Sequence, residues 1–317
     1  MISTRTTFAI AAFAVAIGLG PQSAATAQDY PTKAITLVVG YAAGGGTDAV
    51  VRALADPLSK KLGVTILVQN VTGAGGGVAA VNVARAKPDG YTLIATTSST
   101  FSLEPLMHPT AYKDSDFVHV STIGQFQGAI LAPSNAPFSN FAEMVAYLKK
   151  EKRPLKHATY FQLDRLLMGY VAKQAGFEVV FVPVDGGNGT VRAILGKSVD
   201  TGYSGGSWSP YVSSGDAKVI FATSHDRLAL APDVPAMKDL GYDIGTTNYI
   251  TVSAPTGTPD AIVQKISDAI GAAIEDEKLQ KLGKNRFMEV KHWNAKESRN
   301  IIDLELKAFK TMFDISK

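Results

Sequence analysis

The chain has 317 residues, 46% of them hydrophobic, and a formal charge of +3 from 31 basic and 28 acidic side chains scattered along its length. That much apolar content belongs to a globular protein with a real core, and the absence of a basic cluster excludes a nucleic-acid partner. There is no cysteine, which excludes disulfides, a thiolate metal site, a catalytic thiol and a lipid-modified N-terminal cysteine.

The opening MISTRTT carries a single Arg5 and precedes an apolar run from Phe8 to Leu19. This is a secretory signal pattern, too short for the roughly 20 apolar residues of a bilayer span. Pro21 and the small residues Ala25-Thr26-Ala27 set cleavage near Ala27. Residues 1–27 are therefore expected to be removed, leaving a soluble chain from Gln28 in a bacterial periplasm.

AITLVV (34–39) reads as a β-branched strand, and 47–62 as an amphipathic helix stopped by Gly63, with Pro57 expected to kink or loosen it. A strand at 64–69, a second glycine cluster, a helix at 78–86 and a strand at 91–96 repeat the unit. Helices follow at 140–151 and 163–176, then a strand at 178–184, a DGGNG loop, a helix at 190–196 and strands at 198–204 and 217–223. The tail offers a strand at 249–255 and helices at 259–276 and 295–315. Strands alternating with helices predict an α/β protein with parallel sheets. No Gly/Ser linker interrupts the pattern, so ordinary chain must cross between domains, at 121–134 and 245–255. Residues 28–127 plus 246–317 then form domain 1, with 128–245 inserted as domain 2.

Gly44 to Gly46 strip side chains from a strand-to-helix turn and leave backbone N–H groups at the positive end of a helix dipole, which makes an anion seat. Thr47 and Asp48 stand where helix-capping residues go. The same residues satisfy G-x-G-x-x-A, but the second strand ends in Gln69-Asn70 and lacks the acid that would hold a dinucleotide ribose. Gly196-Lys197-Ser198 has the wrong glycine spacing for a phosphate loop. Gly202-Tyr203-Ser204-Gly205-Gly206 matches the G-x-S-x-G elbow, so an exported serine hydrolase using Ser204, with His225 or His292 downstream, is the alternative function. The five histidines show no metal-ligand spacing, and neither a metal nor a cofactor is expected. Hydroxyls at Thr96, Thr97, Ser98 and Ser99 end a strand, where the ligand crevice of a parallel sheet lies.

In order along the chain, YPTKAITLVVGYAAGGGTD, LGVTILVQNVTGAGGGVAAVNVARAKPDGYTLIATTSST, VPVDGGNGTVRAILGKSVDTGYS, LAPDVPAMKDLGY and VSAPTGTPDAIVQKI resemble the extracytoplasmic solute-binding receptors of tripartite tricarboxylate transporters. The resemblance implies a two-domain, type II periplasmic binding fold that closes on a small carboxylate in the cleft between its domains. It also implies a receptor rather than an enzyme, working as a monomer and delivering an organic anion to membrane subunits. Matched by position, the carboxylate would be held by Tyr41, Ala42, Gly44, Gly45, Thr47 and Asp48, largely through backbone amides and waters, with Thr97 and Ser98 from the neighbouring strand end. Gly186, Gly187 and Ser204 would supply the inserted domain's half of the cleft.

Two departures stand out. The proline of the usual PFxxGG start is missing from Gly40-Tyr41-Ala42-Ala43-Gly44-Gly45. The glycine-serine loop of the inserted domain is replaced by HATYFQLDR (157–165), which keeps only Ala158 and Thr159. Tyr160 and Phe161 occupy that loop, with Phe101 expected near the other wall, so a ligand with an aromatic or bulky body stacked on a ring is the reading to test.

Overall fold

The computed structural model describes residues 30–316, and the segment read as an export signal lies outside them. The apolar strand β1 (Ile35–Val39) leads through the first glycine turn into α1 (Gly46–Leu62), and β2 (Ile66–Asn70) leads through the second into α2 (Gly77–Ala84). β3 (Thr92–Thr97), the short helices α3 (Ser99–Ser102) and α4 (Glu104–Met107), and β4 (Phe117–Phe126) complete the first run. β1 pairs in parallel with both β2 and β3. Val50, Val51, Leu54 and Leu58 of α1 are buried, and the helix packs against the later helices of the same lobe. Each such side chain contributes roughly 1.5–3 kcal/mol. Ala79, Ala80 and Val83 of α2 join Val38 and Ile94 in a separate cluster on the opposite face. α1 runs unbroken through Pro57, which is buried among its apolar neighbours, so packing outweighs the lost backbone bond expected to loosen it.

The chain then crosses at Gln127-Gly128 into β5 (Ala129–Pro133), α5 (Phe141–Glu151), β6 (Leu155–Thr159), α6 (Gln162–Ala175), β7 (Val179–Pro183), α7 (Gly186–Leu195), β8 (Thr201–Ser204), α8 (Ser209–Ser213) and β9 (Ala217–Ala222). It returns into β10 (Tyr249–Pro255), α9 (Asp260–Ala273), α10 (Glu277–Asn285), β11 (Met288–Glu289) and α11 (Ala295–Ser316). The two sheets have the orders β11-β4-β10-β3-β1-β2 and β7-β6-β8-β5-β9.

Neither sheet is wholly parallel as the alternation predicts. β10 is antiparallel to β3 and β4, and β5 is antiparallel to β8 and β9. β11 is antiparallel to β4 as well. β5 and β10 are each the first strand to enter their sheet after a crossing, so they arrive from the opposite lobe and run against their neighbours. Successive residues of β5 alternate between the two cores of the second lobe, Ile130 on one side and Ala129 and Leu131 on the other.

Two further boundaries differ from expectation. The DGGNG stretch is the N-cap and first turn of α7 rather than a loop; Gly186 takes φ +65°, and a Cβ on Gly187 would stand 2.6 Å from the Ser207 hydroxyl. Strand β8 starts at Thr201, since Val199 already belongs to the core. α11 begins against the first lobe, where Ile302 joins the α2 cluster, and ends in the second, where Phe309 and Met312 pack with Leu166, Leu167 and Tyr170.

Candidate functional site

A cavity of about 920 Å³ lies where the C-terminal ends of β1, β2 and β3 face the second lobe. One wall is the start of α1. Its N-cap is Gly45, not Thr47 or Asp48, and no side chain caps it. Gly44 takes φ +80°, which swings the chain into the helix; the Gly45 N–H donates to the Ala42 carbonyl at 3.2 Å, while Gly46 and Thr47 line the cavity with first-turn N–H groups that have no partner within the helix. Phe126, the last residue of β4, forms the floor. A Cβ on Gly46 would lie 3.2 Å from its ring, and one on Gly205 of the second lobe 3.6 Å.

Asp48 braces this turn from behind and does not line the cavity. Its carboxylate accepts from Gly44 N at 2.8 Å, from Arg52 Nε at 2.9 Å and from Asn70 Nδ2 at 2.8 Å. Burial pushes the carboxyl upward, but the hydrogen bonds from Asn70, Gly44 and Arg52 outweigh it and hold its pKa below the usual value. Asn70 also donates to the Tyr41 carbonyl at 2.9 Å. The amide at the end of β2, noticed in the sequence only for not being an acid, is thus the clamp on the first loop.

Tyr41, Ala42, Thr97 and Ser99 continue the same wall. The Tyr41 hydroxyl lies 2.6 Å from Thr97 Oγ1 and donates to the Gly75 carbonyl at 3.2 Å. Burial raises its pKa, so the phenol stays neutral. Ser98 turns away: its N–H donates to Tyr249 O, and its hydroxyl donates to Glu305 at 2.7 Å.

The facing wall belongs to the second lobe. Buried His157 bonds Thr201 Oγ1 at 2.9 Å and Asp164 at 3.1 Å, fastening the start of α6 to β6 and β8 and so fixing the turn that carries Tyr160 and Phe161. Tyr160 stacks on Phe161 with ring centroids 5.1 Å apart, and Tyr203 lies 4.8 Å from Phe161. All three rings line the cavity with Gln162, Gly186 and Gly205. Tyr160 stays protonated, raised by burial and by the Asp164 charge against the pull of the Gly205 N–H. Thr159, Gly187 and Ser204 lie behind this surface; Thr159 and Ser204 are fully buried.

Phe101, expected near the other wall, is instead core: its ring meets the edges of Phe117 and His119 at 5.0 and 4.9 Å. Ser204 Oγ bonds Ser207 Oγ at 2.9 Å. His225 pairs with Asp226 and Asp243, and His292 with Ser121 and Ser267, so neither presents its imidazole to Ser204. Among the described residues no cluster of three carboxylates or histidines could hold a metal ion.

Sequence reasoning missed Phe126, Tyr203 and Asn248, and also Glu104, Tyr112 and His108, which follow the hydroxyl-rich end of β3. A signal for the last three was available, since a ligand crevice at a strand end also takes in the residues just beyond it. No Lys or Arg is among the lining residues.

The sequence model of the tripartite tricarboxylate transporter family receptor matches residues 50–315. The "UPF0065 protein in gbd 5'region" of Cupriavidus necator is 32% identical over 269 residues, covering 84% of this chain and 82% of that protein. Among solved structures, a TctC solute binding protein from Polaromonas superposes with a TM-score of 0.80 at 23% identity, over 90% of this chain and 99% of that one. R. palustris Rpa4515 with adipate gives 0.76 at 23% identity, over 91% and 98%. The fold is therefore the two-domain α/β architecture of the periplasmic solute-binding proteins.

Proposed function

The chain belongs to the tripartite tricarboxylate transporter receptor family, and from that premise we propose that it captures a small organic carboxylate in the cleft and delivers it to the membrane subunits of such a transporter. The observation that carries the reading is the uncapped N-terminus of α1, whose Gly45, Gly46 and Thr47 open into a cavity that contains no lysine or arginine. Backbone N–H groups and the helix dipole are then the anion's partners, with the hydroxyls of Thr97, Ser99 and Tyr41 beside them. That a structural neighbour was solved with adipate supports the same class.

In this reading residues 28–127 with 246–317 form one domain and 128–245 the other, and the protein works as an exported, periplasmic monomer. Closure bends the two crossings between the lobes, within 121–134 and 245–255. The ligand's body lies against Tyr160, Phe161 and Tyr203. Ser204 offers no second reading, because its hydroxyl is fully buried and paired with Ser207.

A thermal-shift screen of the purified protein against aliphatic di- and tricarboxylates, aromatic acids and neutral sugars tests the reading. An acid at 100 times its Kd stabilises the fold by about 2.7 kcal/mol, which is several degrees. Shifts confined to acids are the expected outcome. Stabilisation by sugars alone, or by no acid, would overturn it.

A further inference from the structure

The cavity that holds the anion seat also holds an acid. Glu104, the first residue of α4, lines it, and its carboxylate sits directly over Gly75, where any Cβ would collide with it. The same cavity is lined by Val78, Val81, Leu103, Pro109 and Tyr112, and the Glu104 charge acts on the phenols of Tyr112 and Tyr41. The Tyr112 hydroxyl is already spent on the Thr100 carbonyl at 2.7 Å, and that of Tyr41 on Gly75 and Thr97. Among the described residues Glu104 forms no ion pair; burial raises its pKa, and the neighbouring His108 acts against that rise. On the same cavity surface Asn248 turns a buried Oδ1 that has no hydrogen-bond partner.

Two parts of the cavity lining therefore ask for opposite partners. At α1 there are donors without an acceptor. At Glu104 there is an acceptor without a donor, in a cavity that Tyr41 and Tyr112 also line, which is an arrangement that receives an organic cation. A second carboxylate placed there would meet a like charge in a partly desolvated site.

We infer that the ligand is a zwitterion, one carboxylate seated on the α1 N-terminus and one cationic nitrogen, an alkylammonium or quaternary amine, placed against Glu104 and the ring of Tyr112. This rests on the carboxylate reading above and narrows it. It gives Glu104 a specificity-determining part: the residue admits ω-amino acids and betaines and turns away diacids of the same length.

The test is calorimetric titration of the purified protein with probes matched in length. Diacids from succinate to suberate are set against the ω-amino acids of equal chain, terephthalate against 4-(aminomethyl)benzoate, and simple alkylamines serve as the arm without a carboxylate. The expected result is at least one length at which the amino acid binds tenfold or more tighter than its diacid, with Glu104→Gln removing that preference. Equal or tighter binding of the diacid at every length, or a preference unchanged in E104Q, overturns the zwitterion while leaving the carboxylate receptor standing. Amines that bind as well as the amino acids overturn the carboxylate seat itself, and so does a failure of every carboxylate probe to bind.

Discussion

The two glycine clusters look alike in sequence and do opposite things. Each follows a strand and opens a helix, and the strands β1 and β2 are parallel neighbours. In the first cluster Gly44 leaves room, since a Cβ there would meet nothing within 4 Å, while one on Gly46 would press on the Phe126 ring at 3.2 Å in the cleft. In the second the missing side chains are filled by neighbours. A Cβ on Gly76 would stand 2.6 Å from Thr96 Oγ1 and 2.7 Å from Thr100 Oγ1, and one on Gly75 would collide with the Glu104 carboxylate. The first turn presents helix N–H groups to the cavity and the second takes in its neighbours' side chains, so a glycine's meaning lies in what stands opposite it.

The sharpest way to break this comparison is Gly76→Val. With φ at +92° and two threonine hydroxyls in the way, strain and overpacking together should cost about 4 kcal/mol or more in urea unfolding. A cost below about 1 kcal/mol would mean that the second turn is as open as the first.

The packed side rests on a further buried acid. Glu305 of α11 accepts from Ser98 at 2.7 Å and Ser102 at 2.8 Å, and burial raises its pKa from 4.5 to about 8. The folded state therefore holds a proton that the unfolded chain releases. The stability this confers is full below the unfolded value and is lost as pH rises toward about 8, by at most ~1.4 kcal/mol per pH unit. Glu305→Gln should flatten the stability profile between pH 5 and 8; an unchanged slope in chemical denaturation would show that another group sets it.

The smallest stability effect belongs to the open turn. Gly44→Ala adds a methyl group to empty space but keeps the left-handed backbone at φ +80°, for a cost of about 1 kcal/mol. Gly46→Val should cost more in unfolding, since it presses the new side chain on Phe126, and it should weaken carboxylate binding at least tenfold by titration. Equal binding by the two variants would place the anion elsewhere.

The repeated unit from β1 to β3 was legible because each strand, turn and helix carries its signal locally, in β-branched runs, glycines and a period near 3.6. β4 and β5 were read only as a crossing, since the reversal of a strand depends on which lobe it comes from. The start of α7 was hidden by its glycines, whose helix propensity is weak. In the site, the backbone donors of the first turn were legible from the glycines that expose them. The second wall was half legible: Tyr160 and Phe161 stood out as replacements, while Tyr203 was hidden inside a motif that drew attention to the serine beside it. Glu104 could be seen as a charge, but only its contact with Gly75 shows what it faces.

α11 starts against one lobe and finishes against the other, whereas β1 lies in the first sheet. A donor dye attached just ahead of β1 and an acceptor dye on the last turn of α11 would thus ride on different halves of the molecule. Cleft closure would change the energy transfer between them with no insertion into either half, and the receptor could be made into an optical sensor for its own ligand.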